Sequence, residues 1–307
     1  MFVTTTVYLL LALLASLVLA FPATNLIETR STITSVPPST VTALTIYGQF
    51  SRASYCPPTQ TSSWTCGQAC SALPGFVPYL AGGDEGPTPY YYVGYWPTKN
   101  TAVVVHQGRA PYYLESVLDD LEITLSTLDS TLFPGLSSSI QVHTGFASVQ
   151  ALTATAILAA VNKILSGHST TKVTVIGHSL GAAVAMIDMV YLHLHLPSST
   201  SLKFVGHGTP RVGNQAFADY VDATFSDVTR INHAEDPIPI VPGLSGGYHH
   251  VSGEVHILDD NTWIACAGQD NPSRECSTGD VPTVLNGNLI DHLGPYNGVW
   301  IGPMYCT

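Results

Sequence analysis

Charge is what this sequence has least of. Only 10 % of its 307 residues are Asp, Glu, Lys or Arg, against about 25 % in an average domain. Lys and Arg together number ten, too few to lay a phosphate-tracking surface, which excludes a nucleic-acid binder. Disorder needs low hydrophobicity and high charge, whereas 45 % of this chain is hydrophobic. A coiled coil is excluded too, because it would be rich in Glu, Lys and Leu. There is no internal repeat, no linker long enough to separate two domains and no Asn-x-Ser/Thr sequon. What remains is one globular domain with enough chain to bury a large core. Its net charge of −11 serves solubility and points to no charged partner.

Long hydrophobic runs are also scarce, with one exception. Residues 8–20 read YLLLALLASLVLA, shorter than the ~20 apolar residues a spanning helix needs. The run ends in Val18-Leu19-Ala20, with small residues where a signal peptidase reads. We therefore expect a signal peptide over 1–20, a secreted extracellular product and no stable membrane anchor. The segment 21–45 is rich in Thr, Ser and Pro and reads as a leader or short pro-segment. That leaves a single domain over 46–307, expected to be a monomer.

The six cysteines suit an oxidising compartment, where an even number reads as a disulfide framework. Local spacing favours Cys66–Cys70 and Cys266–Cys276, leaving Cys56–Cys306 to tie the ends of the domain together. The Cys-x3-Cys spacing also suits zinc, but no second pair lies near it. No metal or organic cofactor is expected.

From about residue 100, short β-branched runs alternate with helical stretches. TAVVVHQ (101–107), TKVTVIG (171–177), KFVGHG (203–208), DVTRINH (227–233) and GEVHIL (253–258) read as strands. Helices are expected over 147–167, 180–196 and 215–225. This alternation predicts an α/β fold with a mostly parallel sheet covered by helices on both faces.

Gly177-His178-Ser179-Leu180-Gly181 matches the G-x-S-x-G nucleophile elbow. The elbow needs a strand before it and a helix after it, and Ser179 has both. A second match, Gly243-Leu244-Ser245-Gly246-Gly247, has neither and reads as a loop. A nucleophilic serine needs a base, and the base an orienting carboxylate. Eight histidines follow Ser179. His193 and His195 lie in an apolar helix; His207, His233 and His256 fall within strands; His249 and His250 sit in a Gly-rich loop. His292 lies in a late loop, and Asp236 just past a strand end, where sites of α/β sheets collect. Spacing favours this pair without forcing it. A metal reading of His249, His250 and His256 lacks an acidic ligand pattern.

GHSLG after VTVI, VHTGF (142–146), GHGTPRVGN (206–214), AEDPIPIVP (234–242) and DHLGPY (291–296), in that order, resemble the fungal class 3, Mucor-type triacylglycerol lipases. Fungal feruloyl esterases share their framework. The resemblance implies an α/β-hydrolase fold over roughly 45–307, a short lid, one end-to-end disulfide and two local ones. It implies Ser179 as nucleophile, Asp236 as acid and His292 as base. The oxyanion donors would be the amides of Leu180 and Arg109. Arg109 departs from the family, which has Ser or Thr after the glycine. The lid would run over 110–118 and bring Tyr112, Tyr113 and Leu114 to the substrate. Pro242, Leu244, Ile290 and Leu293 would line an acyl groove. The implied activity is hydrolysis of acylglycerols at a lipid–water interface. The alternatives are an esterase for feruloyl or other carboxylic esters and an inactive lipid-binding relative.

Overall fold

A computed structural model describes residues 32–109 and 124–307. The expected signal segment and the lid residues Tyr112, Tyr113 and Leu114 lie outside the described residues. Thirteen strands are described: β1 (Ile33–Ser35), β2 (Val77–Gly82), β3 (Tyr91–Trp96), β4 (Thr101–His106), β5 (Leu125–Thr127), β6 (Gln141–His143), β7 (Lys172–His178), β8 (Ser201–His207), β9 (Gly213–Asn214), β10 (Val228–His233), β11 (Tyr248–His249), β12 (Glu254–Ile257) and β13 (Trp263–Cys266). Nine of them form one sheet in the order β1-β13-β12-β10-β8-β7-β4-β3-β2. A small sheet, β11-β9-β6-β5, lies apart from it.

The five central strands β4, β7, β8, β10 and β12 are parallel. Both margins are antiparallel, so the sheet is less uniformly parallel than the alternation of elements suggests. Connection length is the reason. Only residues 97–100 join β3 to β4, and only 258–262 join β12 to β13; a parallel crossover needs a dozen or more residues.

The central strands are covered on both faces, which is why they read as continuous apolar runs. All six residues of β4 are buried. One face packs against the helices Thr144–His168 and Leu180–His195. The second of these buries twelve of its sixteen residues, so it shows little amphipathic periodicity. It also buries Asp188, whose carboxylate is met by His106 Nε2 at 2.6 Å and Gln150 Nε2 at 2.7 Å. Two donors offset the desolvation that an unpaired buried carboxylate would suffer.

The other face packs against an aromatic cluster and the helix Pro38–Ala53. This helix corrects the expected leader over 21–45. Residues 33–35 pair with β13, and the helix begins at Pro38, so residues from at least Ile33 onward belong to the folded domain. Its buried Leu44, Tyr47, Gly48 and Ser51 follow the i, i+3, i+4, i+7 spacing of a helical stripe. The Thr/Ser-rich composition hid that stripe.

Three disulfides join Cys56 to Cys306, Cys66 to Cys70 and Cys266 to Cys276. The first spans 250 residues. On the chain-entropy account a loop that long contributes most, on the order of 5 kcal/mol.

Buried histidines set the acid limit of stability. His207 is pushed down to about 3 by burial, and burial holds His178 and His250 well below the usual histidine range. All three are neutral in the folded protein and become charged once unfolded below about pH 6.5. The unfolded chain then binds more protons, so their contribution is full above that value and declines as pH falls. Each group costs about 1.4 kcal/mol per pH unit there. Asp280 and Asp291, raised by burial, act in the opposite sense at lower pH. We expect Tm to fall on the order of 10 °C between pH 6.5 and 4.5, as read by differential scanning fluorimetry. A level Tm over that range would contradict neutral burial.

Candidate active site

Ser179 closes β7 and opens the helix Leu180–His195. Its backbone sits at φ 58°, ψ −136°, a conformation that costs an L-residue roughly 1–3 kcal/mol. The flanking glycines make the turn possible. A Cβ on Gly177 would lie 2.3 Å from the carbonyl oxygen of Gly181, and one on Gly181 would lie 2.4 Å from that of Gln107. Strand, helix and the end of β4 thus meet with no room for side chains. Ser245, by contrast, lies in an exposed turn.

His292 is carried by the single 3₁₀ turn Asp291–Leu293, and Asp236 by the loop after β10. Both are buried, with His292 Nδ1 2.8 Å from Asp236 Oδ2. The other carboxylate oxygen, Asp236 Oδ1, accepts from the amide of Ile238 at 2.9 Å. A carboxylate accepts only, so His292 Nδ1 carries the proton and Nε2 presents a lone pair. Ser179 Oγ and His292 Nε2 are both buried and find no hydrogen-bond partner among the described residues. Unpartnered buried polar atoms are rare in folded proteins. Ten such side-chain atoms occur among the described residues; these two are the ones that a nucleophile and its base would use, and such contacts often tighten only when substrate binds.

The two expected oxyanion donors lie next to the serine in the chain or beside it in the fold. Leu180 is the first residue of its helix, so its N–H has no intrahelical acceptor. The chain before Arg109 runs against the serine, since a Cβ on Gly108 would lie 2.6 Å from Ser179 Cβ. The Arg109 side chain is half-buried. Of the expected groove residues, Leu244 and Ile290 are 43 % and 63 % exposed. Pro242 and Leu293 are buried, and the Pro242 carbonyl accepts from Arg211 Nη1 at 3.1 Å.

Some contributors carried no signal in the sequence. Gly208, at φ +53°, passes so close to the dyad that a Cβ there would lie 2.6 Å from the His292 ring and 2.8 Å from Asp236 Oδ2. Tyr55, from just past the first helix, reaches within 2.5 Å of His178 Nδ1. Two of the downstream histidines are engaged with main-chain carbonyls. His250 Nε2 meets the carbonyl of Pro239, and the two nitrogens of His256 meet those of Glu275 and Ala234. Glu254, Cys266 and Cys276 converge, but the sulfurs are bonded to each other and cannot act as thiolate ligands.

A family model described as Lipase (class 3) matches residues 103–246, a span that holds most of β4, the elbow and the acid loop. Over that span the chain is similar to the fungal class 3 lipases. It is 33 % identical over 159 residues to a lipase of Rhizopus niveus, covering 51 % of this chain and 40 % of that protein. It is 31 % identical over 202 residues to the secreted mono- and diacylglycerol lipase MDL2 of Malassezia globosa, covering 65 % and 64 %. The chain thus spans less than two thirds of the length of these curated relatives. Among solved structures it is similar to the triacylglyceride lipase of Rhizomucor miehei, with a TM-score of 0.77 and 25 % identity over 90 % of this chain and 100 % of that one. This likeness to class 3 lipases accords with the α/β-hydrolase architecture of the sheet and elbow. It also sets the Gly108-Arg109 junction apart, because the hydroxyl residue expected after the glycine is replaced by a cation.

Proposed function

We propose that this chain is a secreted carboxylic ester hydrolase that cleaves acylglycerols through an acyl-enzyme. The observation that carries the reading is the pair of unpartnered buried atoms, Ser179 Oγ and His292 Nε2, beside a His292–Asp236 dyad whose tautomer is fixed. Ser179 Oγ attacks the ester carbonyl while His292 Nε2 takes its proton. Asp236 holds the ring and stabilises the imidazolium. The amides of Leu180 and Arg109 receive the developing oxyanion; losing one such donor typically costs ~2.7–4 kcal/mol. His292 then returns the proton to the leaving alcohol, and water, deprotonated by the same nitrogen, releases the fatty acid.

The acyl groove would use Leu244, Ile290 and Leu293 near the acid and base, with Pro242 beneath, and the lid would add Tyr112, Tyr113 and Leu114. Lipid is favoured over aromatic esters by the exposed apolar side chains on these loops. Leu285, 96 % exposed, stands in the uncharged stretch 281–290 just before His292. Secretion follows from the hydrophobic N-terminal run and three disulfides. The test is a comparison of initial rates on emulsified triolein and on methyl ferulate. We expect triolein to be the better substrate by at least tenfold, with a rate jump once the lipid exceeds its solubility. Preference for methyl ferulate would reassign the protein to aromatic esters. No turnover of either, with no labelling by an organophosphonate, would make it an inactive relative.

A further inference from the structure

His178, the residue between Gly177 and the nucleophile, is fully buried and has a partner on each ring nitrogen. Its Nε2 lies 2.8 Å from the main-chain carbonyl oxygen of His292, and its Nδ1 lies 2.5 Å from the phenol oxygen of Tyr55. The rings of His178 and His292 are 4.4 Å apart. The same His292 carbonyl accepts from Tyr296 Oη at 3.1 Å. At the far end Tyr55 is buried and bonded to the backbone of Gly108, the residue before the proposed oxyanion donor Arg109. These groups come from four parts of the chain: the end of the first helix, the end of β4, the elbow and the last loop.

The protons on this chain have one consistent arrangement. A carbonyl only accepts, so His178 Nε2 carries a hydrogen. A neutral ring then has its lone pair on Nδ1, which obliges Tyr55 to donate its O–H there. The Tyr55 oxygen in turn accepts the N–H of Gly108. A charged His178 would point a second N–H at Tyr55 and leave the phenol hydrogen without a partner. Burial beside His292 and His207 also holds His178 well below the usual histidine range. Gly108 N–H, Tyr55 O–H and His178 Nε2–H thus donate in one direction, ending on the catalytic loop.

We propose that Tyr55 and His178 are positioning residues, forming a hydrogen-bonded strut that sets the base His292 against the oxyanion loop at Gly108-Arg109. This rests on the reading of His292 as base. Neither residue touches substrate in this scheme. The strut fixes the spacing between the proton acceptor and the oxyanion donors, a distance on which rate depends steeply, since about 1 Å of misplacement can cost 10²-fold.

Tyr55→Phe removes one oxygen and keeps the ring. We expect kcat on p-nitrophenyl butyrate to fall on the order of 10–100-fold with KM within twofold, because the strut orders the reacting groups and not the acyl pocket. Replacing His178 gives a second arm. A Gln side chain places its amide nitrogen near the Nε2 position and can still donate to the His292 carbonyl, whereas Asn is too short to do so. We expect His178→Gln to keep at least ten times the kcat of His178→Asn when both are folded by circular dichroism. Unchanged kcat in Tyr55→Phe, or equal losses in the Gln and Asn variants, would overturn the strut. Labelling of wild-type Ser179 by an organophosphonate separates the failures. If the wild type labels and the variants behave alike, the strut alone is wrong; if the wild type does not label, the reading of the base is wrong.

Discussion

Ser179→Ala is expected to lower kcat on p-nitrophenyl butyrate by ~10⁴–10⁶-fold, the range seen when a triad nucleophile is removed. The fold should hold. The hydroxyl has no hydrogen-bond partner among the described residues, so its removal leaves no buried group newly unpaired. Alanine at φ 58° carries the same backbone strain as serine, so the elbow is neither relieved nor worsened. We therefore expect Tm within about 2 °C of wild type, an estimate that follows from the small change in interactions. Turnover well above background in a folded Ser179→Ala protein would remove the nucleophile assignment. It would also remove the acyl-enzyme, since no other described serine sits in an elbow with a helix behind it.

Gly208→Ala is the second large effect, and one methyl group produces it. The added Cβ would sit 2.6 Å from the His292 ring and 2.8 Å from Asp236 Oδ2, closer than non-bonded atoms approach. Residue 208 cannot yield readily, because its amide is held by the carbonyl of Ile231 at 2.8 Å and its φ is positive. The dyad must move instead, by several tenths of an ångström or more. Displacement on that scale should reduce kcat by ~10²-fold or more. The positive φ adds a cost of about 1 kcal/mol to stability. The expected signature is a large loss of kcat with a Tm drop of only a few degrees. Equal losses in Gly208→Ala and in an alanine at Gly135, a positive-φ glycine with open space around it, would show that backbone strain alone was responsible.

These two positions mark how far the sequence can be read. Ser179 was legible because the elbow is local: two glycines two residues either side, a β-branched run before it and an apolar run after it. The central strands were legible for a similar reason, since burial on both faces writes itself as consecutive valines and isoleucines. The helix Pro38–Ala53 was not. Its stripe is made of Leu44, Tyr47, Gly48 and Ser51, and small polar members weaken the periodic signal. The antiparallel margins of the sheet were also hidden, because β-propensity does not state which strand a segment pairs with.

The elbow, the run of buried central strands, the even cysteine count and the absence of a basic surface are all written in the amino-acid order. Each depends on neighbours in the chain or on composition. Among eight downstream histidines the sequence favoured His292 without compelling it. Only the tertiary structure brings His292 against Asp236 across 56 residues, and Tyr55 against His178 across 123. Gly208 becomes the floor beneath that dyad in the same way. Such contacts are decided by the order in which β4, β7, β8 and β10 lie side by side, which delivers the ends of distant strands to one edge. Chain spacing carries no trace of that order, because parallel neighbours are joined by crossovers of variable length.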